Sequence, residues 1–239
     1  MKKIAIILLS ILFSTTIMAQ EVMMIENPET LYQGKKWGEN RTNFIHVFGS
    51  YGMVVGLPEG GAFDLKYGLS RDWKFGIRYK LKLASNYAMG ADFTIANTRF
   101  RMAQYGTNVF PDSLMHDKEY ISISSFGLDY FNRINFGKRG NKVGKYFDLG
   151  VFATVNYLAR HNYWDKLSTP YNGSTKVKTT LYKPNYITDL NWGIKARVGN
   201  ERFALWSSYR MSNLINSKFN GANSVELPRA MVGVEIGIY

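Results

Sequence analysis

Residues Trp73 to Leu83 read WKFGIRYKLKL, and this stretch decides the fold. Trp73, Phe75, Ile77, Tyr79, Leu81 and Leu83 are apolar or aromatic, while Lys74, Gly76, Arg78, Lys80 and Lys82 lie between them. A repeat of two residues is the signature of an extended strand, whose side chains point alternately to opposite faces. One face of this strand is therefore wholly apolar and the other strongly cationic. A half-buried strand in a water-soluble sheet also alternates, so the rest of the chain has to say what covers the apolar side.

The same alternation recurs along the sequence. At Phe147, Leu149, Val151, Ala153, Val155, Tyr157 and Ala159 the odd positions are apolar, and near the C-terminus Ala230, Val232, Val234, Ile236 and Ile238 alternate with Arg229, Met231, Gly233, Glu235 and Gly237. Phe44 to Leu57, Tyr87 to Met102, Tyr120 to Phe136, Tyr186 to Val198 and Phe203 to Met211 complete a set of eight, with phase slips near Asn97 and Ser124-Ser125 that read as bulges. Links between these segments alternate in length. Ala84 to Asn86, Gly137 to Lys145 and Gly199 to Glu201 are short, whereas Gln104 to Glu119 and His161 to Tyr182 are long. Short turns at one end and longer loops at the other are the asymmetry of an up-and-down barrel in an outer membrane. Aromatic residues gather near strand ends, at Trp73, Tyr87, Tyr120, Phe136, Tyr146, Phe147, Trp164 and Tyr239, where interfacial girdles would sit. Ala62 to Ser70 and Thr175 to Lys183 also alternate and give an alternative count of ten strands. Eight is preferred, because the parity of Ala62 to Ser70 continues that of Trp73 to Leu83.

Composition and the first residues narrow the class. The chain has 239 residues, 30 Lys+Arg against 18 Asp+Glu, a net charge of +12, 46% hydrophobic and 15% aromatic residues, and no cysteine. Such a chain folds rather than remaining disordered. Without cysteine it has no disulfide scaffold, thiolate zinc site or cysteine nucleophile. Lys2-Lys3, the apolar run Ile4 to Phe13 and the small residue Ala19 follow the order of a secretory signal peptide, predicted over residues 1–19. Residues 20–42 read as a periplasmic N-terminal tail or a short cap, and 43–239 as the barrel. No stretch after Ala19 is long and apolar enough for a spanning helix. Basic charge in an exported chain does not point to nucleic acid, and no nucleic-acid module, dinucleotide fingerprint or metal-ligand cluster is present.

With these segments in hand, the chain resembles the small outer-membrane barrel-domain proteins of OmpA/OmpX-type architecture. The resemblance covers about Thr42 to Tyr239 and rests on pattern, without a functional motif. It implies an all-β fold, a transmembrane antiparallel up-and-down β-barrel of eight strands, and a place in the outer membrane of a Gram-negative bacterium. It also implies outer-membrane lipids, lipopolysaccharide and the barrel-assembly machinery as partners. At the C-terminus Tyr239 shares parity with Gly237, Glu235 and Gly233, so the apolar face is offset by one from the usual terminal signature.

If the apolar parity faces lipid, the opposite parity places Lys74, Arg78, Lys80, Lys82, Arg99, Arg101, Arg133, Arg160, Lys195, Arg197, Arg202, Arg210 and Arg229 in the lumen, with Asp92, Asp129, Asp148, Asp189 and Glu235. The interior of an eight-stranded barrel is just wide enough for side chains to fill, so these charges are expected to pair as a polar network. Of the three histidines, His46 falls on the lumen parity, while His116 (with Ser113 and Asp117) and His161 (with Asp165 and Ser168) fall in or beside outer loops. A base near a hydroxyl and a carboxylate is the pattern of a hydrolase triad, but polar loops bring such residues together by chance. Gly137 to Lys145 lacks the spacing of a phosphate loop and reads as a turn, with cations that could meet headgroups of the inner leaflet. Lys118, Lys166, Lys176, Lys178, Lys183 and Lys218 in the outer loops could meet lipopolysaccharide phosphates. Asn172-Gly173 and Asn220-Gly221 mark loop turns.

The expected function is thus that of a non-catalytic, porin-like integral membrane protein of the cell envelope, with a structural or interaction role such as an accessory subunit of an envelope complex. The alternatives are a narrow channel or carrier for small solutes and, less favoured, a lipid-modifying enzyme. No cofactor or metal is expected.

Overall fold

The computed structural model describes residues 36–58, 64–104, 114–137, 140–216 and 225–239. The predicted signal peptide and the first part of the predicted tail lie outside them, as do Ser113, Lys218 and Asn220-Gly221. Ten strands form one antiparallel sheet: β1 (Asn43–Val55), β2 (Asp64–Leu65), β3 (Arg71–Lys82), β4 (Tyr87–Ala103), β5 (Lys118–Phe136), β6 (Lys145–Tyr171), β7 (Ser174–Tyr182), β8 (Leu190–Asn200), β9 (Phe203–Arg210) and β10 (Ala230–Ile238). Eight of them run β4-β3-β1-β10-β9-β8-β6-β5, and β5 pairs back onto β4. The sheet therefore closes into a ring in which each of these strands has two neighbours, and no edge is left among them.

β2 and β7 lie off the ring, paired to β4 and β6. The alternation at Ala62 to Ser70 does not extend β3, as the sequence suggested. Asp64–Leu65 pairs with Ala103 and Met102 instead, and a single 3₁₀ turn at Tyr67–Leu69 separates it from β3. Thr175 to Lys183 corresponds to β7, which doubles back on the overhanging end of β6 through a tight turn at Asn172-Gly173, with φ of 48° and 75°. Positive φ at both central positions gives the turn a twist matching its strands, and Asn-Gly is the pair that adopts it most readily.

The ends of the ring differ. At one end the links are 83–86, 137–144 and Glu201-Arg202. Residues 36–42 also lie there: Lys80 donates to the Glu39 carbonyl, Lys82 Nζ to the Asn40 side chain at 3.0 Å, and the Asn40 amide to the Gly140 carbonyl. Phe44, Val143, Tyr146, Ala204 and Tyr239 pack together at this end. At the other end lie the longer connections and the projecting β6–β7 pair.

Each ring strand sorts its residues by parity. Outward side chains through the middle are apolar and exposed: Ile77 45%, Phe93 52%, Leu128 61%, Val151 54% and Leu205 66%. Rows such as Ile77-Phe93-Leu128-Ala153 run directly across neighbouring strands. A large exposed apolar surface marks a face that meets another partner or a membrane. Inward side chains are polar or aromatic, and inward glycines make room for the largest of them. A Cβ on Gly90 would come within 2.4 Å of the Phe131 ring, and one on Gly52 within 2.5 Å of Trp206.

Toward the long-loop end the interior changes character. Val54, Leu65, Phe100, Met102, Ile121, Ile123, Ala159, Ile187, Leu214, Ile215, Val225 and Leu227 form one buried apolar cluster. Only one register break divides β5 from β6: Ser124 pairs with Leu158 and Ser125 with Asn156, leaving Tyr157 as the extra residue. The bulge expected at Ser124-Ser125 is thus present with its surplus residue on β6, whereas β4 keeps continuous register through Asn97 on both sides.

Candidate functional site

Six charged side chains cross the interior as a layer. Arg78 on β3, Asp92 on β4, Arg133 on β5, Asp148 on β6, Arg197 on β8 and Glu235 on β10 all point inward because each sits on the parity opposite the apolar belt. Arg78 grips Asp92 with Nε at 2.7 Å and Nη2 at 2.8 Å, and its Nη1 reaches Glu235 Oε1 at 2.6 Å. Arg133 grips Asp148 in the same bidentate way, at 2.7 and 2.8 Å. Arg197 joins the two halves, donating to Asp148 at 2.8 Å, Asp92 at 3.0 Å and Glu235 at 3.3 Å. Three guanidiniums thus meet three carboxylates, and the layer is neutral in itself. Two-pronged guanidinium–carboxylate contacts are the strongest ion pairs available to side chains and fix orientation as well as distance.

Aromatic rings hold the layer from above and below. Arg133 Cζ lies 3.7 Å from the Tyr146 ring centroid, Arg78 Cζ 4.3 Å from Phe48 and Arg197 Cζ 4.9 Å from Phe131. Lys195 adds a pair with Asp129 at 2.7 Å. Lys74 meets Asp72 at 3.2 Å, and Thr98 donates to that carboxylate at 2.6 Å. Between Asp92, Asp129, Asp148, Lys195 and Arg197 remains a space of about 10 Å³, near the minimum for one water. A larger cavity of about 60 Å³ lies toward the long loops, lined by Asp72, Lys74, Thr98, Phe152, Asn191 and Arg210 among others.

The predicted interior charges divide. Lys74, Arg78, Lys80, Asp92, Asp129, Arg133, Asp148, Lys195, Arg197, Arg210 and Glu235 are brought inside, and Lys82 lies at the short-link opening. Arg210 pairs with Glu226 at 3.0 Å. Arg229 lines the larger cavity and donates to the Ser212 carbonyl at 3.1 Å. Five residues go elsewhere. Arg99 and Arg101 share the outward face of β4 with Phe93 and Ile95, because no slip occurs at Asn97. Arg160 faces outward because the extra residue Tyr157 exchanges the faces of β6 beyond it. Asp189 is exposed in the link before β8, and Arg202 lies in the short link before β9, its Cζ 5.3 Å from the Tyr239 ring.

Sequence reasoning passed over Asp72, Glu119 and Glu226, all 3% exposed or less. Glu226 accepts from the backbone N–H of Leu214 at 3.0 Å and of Ile215 at 3.3 Å, which ties the last long connection into the ring. Its signal was an acid set between Val225 and Leu227.

The histidines find partners other than those their spacing suggested. His161 lies inside β6 rather than in a loop, with Nε2 2.8 Å from Glu119, and Glu119 in turn accepts from Gln104 at 2.6 Å. His116 Nδ1 is 2.5 Å from Asp165, and both imidazoles flank the Tyr163 ring, at 4.3 and 5.5 Å between centroids. His116 Nδ1 and His161 Nε2 thus each meet a carboxylate, Asp165 and Glu119. His46 stacks on Phe44 at 4.8 Å near Tyr239. No group of three or more His, Cys, Asp or Glu placed to hold a metal ion occurs among the described residues. In comparisons with known proteins, the chain matches no family model and no curated protein.

Proposed function

We propose that this chain is an eight-stranded transmembrane β-barrel of a Gram-negative outer membrane, closed to solutes and acting as a structural or interaction component of the envelope. A single observation carries the reading: the ring strands turn a predominantly apolar belt outward while burying a paired layer of arginines and carboxylates at their centre. Hydrocarbon tolerates a strand only when its backbone groups are all paired, which a closed ring provides. From Leu81 to Trp73, whose row marks the boundary, β3 runs nine residues, within the roughly 9–11 that a tilted strand needs to cross an apolar layer. On this reading the short links lie on the periplasmic side and the long connections outside, and membrane lipids are the first partners.

The charge layer argues against the channel alternative. With each acid of the layer held by two arginines and about 10 Å³ left beside them, an ion would have to part buried pairs to pass. It offers no free base either, so catalysis is not assigned to it. The decisive experiment is to refold the leaderless chain in lipid vesicles and in buffer without amphiphile. A folded monomer in buffer alone would overturn the reading, and conductance steps from folded protein in planar bilayers would overturn the closed state.

A further inference from the structure

Beyond the apolar belt the outward face turns basic along one cross-strand row. Arg71 on β3 sits opposite Arg99 on β4, Arg99 opposite Ser122 on β5, and Ser122 opposite Arg160 on β6. The row two residues nearer the belt is Trp73-Asn97-Ser124, and the next is Phe75-Ile95-Phe126-Val155. The arginines thus lie about one polar row past the hydrocarbon-facing rings.

Like charges placed directly across antiparallel strands destabilise the pair, and Arg71 against Arg99 is such a placement. Among the described residues no carboxylate forms an ion pair with Arg71, Arg99, Arg101 or Arg160, and Asp64, the acid closest to Arg101 in register, makes none. The Nε groups of Arg99 and Arg101 are buried without a hydrogen-bond partner. Aromatic rings steady the same patch: Arg99 Cζ lies 4.6 Å from the Tyr120 ring, Tyr120 5.3 Å from Trp164, and Lys178 Nζ 5.1 Å over Trp164. The contrast with the interior layer, where three arginines are matched by three acids, is complete.

We infer that this row binds the phosphate groups of an anionic membrane lipid in the leaflet at the long-loop end. The inference rests on the transmembrane reading and names the partner of its outward face. Guanidiniums fork onto phosphate oxygens as they do onto carboxylates. A lipid is favoured over a free anion because the row stands directly above the apolar belt, so one molecule could place its headgroup on the arginines and its chains on Phe75, Ile95 and Phe126.

The test uses the refolded full-length mature chain in neutral detergent, titrated with bisphosphorylated lipid A and, separately, with phosphatidylcholine, with bound lipid read by native mass spectrometry. Folding is checked first by heat-dependent electrophoretic mobility, and failure to fold in amphiphile would count against the transmembrane reading rather than this one. Wild type is expected to prefer lipid A. The triple variant Arg71→Gln, Arg99→Gln, Arg160→Gln should fold and lose that preference by about tenfold or more, from the worth of a charge-assisted hydrogen bond. Lys142→Gln with Arg202→Gln, at the short-link end, should keep it. Equal binding of both lipids by wild type, a full preference in the triple variant, or complete displacement of lipid A by an equal concentration of inorganic phosphate would each overturn the inference.

Discussion

Two stretches of the same strands have opposite polarity. In the middle of β4 and β5 the outward side chains are Phe93, Ile95, Phe126 and Leu128, and the inward ones are Asp92, Thr94, Gly127 and Asp129. A few residues on, the outward side chains are Arg99, Arg101, Tyr120 and Ser122, and the inward ones are Phe100, Met102, Ile121 and Ile123. Register is continuous across this stretch of β4 and β5, so the inversion is not a slip of the backbone. The hydrophobic effect assigns apolar groups to whichever side lacks water. On the transmembrane reading the belt is surrounded by hydrocarbon and the end beyond it by water, and the crossover at Asn97 and Ser124 marks the boundary.

The comparison can be broken at four points. The largest effect is expected inside the belt: Asp92→Ala leaves Arg78 and Arg197 buried with one acceptor fewer and should destabilise the folded protein by about 3–5 kcal/mol, measured by denaturant unfolding in vesicles. Arg78→Ile should cost a similar amount, since it strands Asp92 and Glu235. Next comes the inverted end, where Ile121→Ala removes a fully buried side chain from the apolar cluster and should cost about 2–5 kcal/mol, as in a water-soluble core. On the outward face, Phe93→Arg should cost about 2–4 kcal/mol, whereas Leu69→Arg, at a side chain 52% exposed beyond the crossover, should change stability by less than about 1 kcal/mol. Equal losses for these two would remove the boundary. The smallest effect belongs to the exposed Lys142–Glu201 pair at 3.2 Å: Lys142→Ala should shift stability by less than about 1 kcal/mol, with little dependence on lipid.

Much of the interior was legible in the sequence because parity is a property of the strand itself. Arg78, Asp92, Arg133, Asp148, Arg197 and Glu235 could be placed on one side of a sheet from alternation alone. The errors at Arg99 and Arg101 share a cause. A reversal of the apolar and polar faces along a strand looks the same whether one residue is inserted or the solvent on the two faces is exchanged. At Asn97 the register is continuous and no residue is inserted, whereas at Tyr157 one is. The bulge turns Arg160 outward, and alternation alone leaves His161 in or beside a loop because the overhang of β6 carries little of it to mark strand.

Which acid meets which base was beyond the sequence altogether. Arg78 reaches Asp92 from the adjacent strand, but its contact with Glu235 and the reach of Arg197 to Asp92 span the interior between strands far apart in the chain. The sequence by itself determined the main strands, the inward and outward faces of their middle portions and the uneven link lengths, because side-chain alternation and turn chemistry are local. The pairing of β1 with β10 that closes the ring, the neutral matching of three arginines with three acids and the arginine row outside, without an acid partner among the described residues, were decided only by the tertiary structure, since each depends on the distance between residues that the chain keeps far apart.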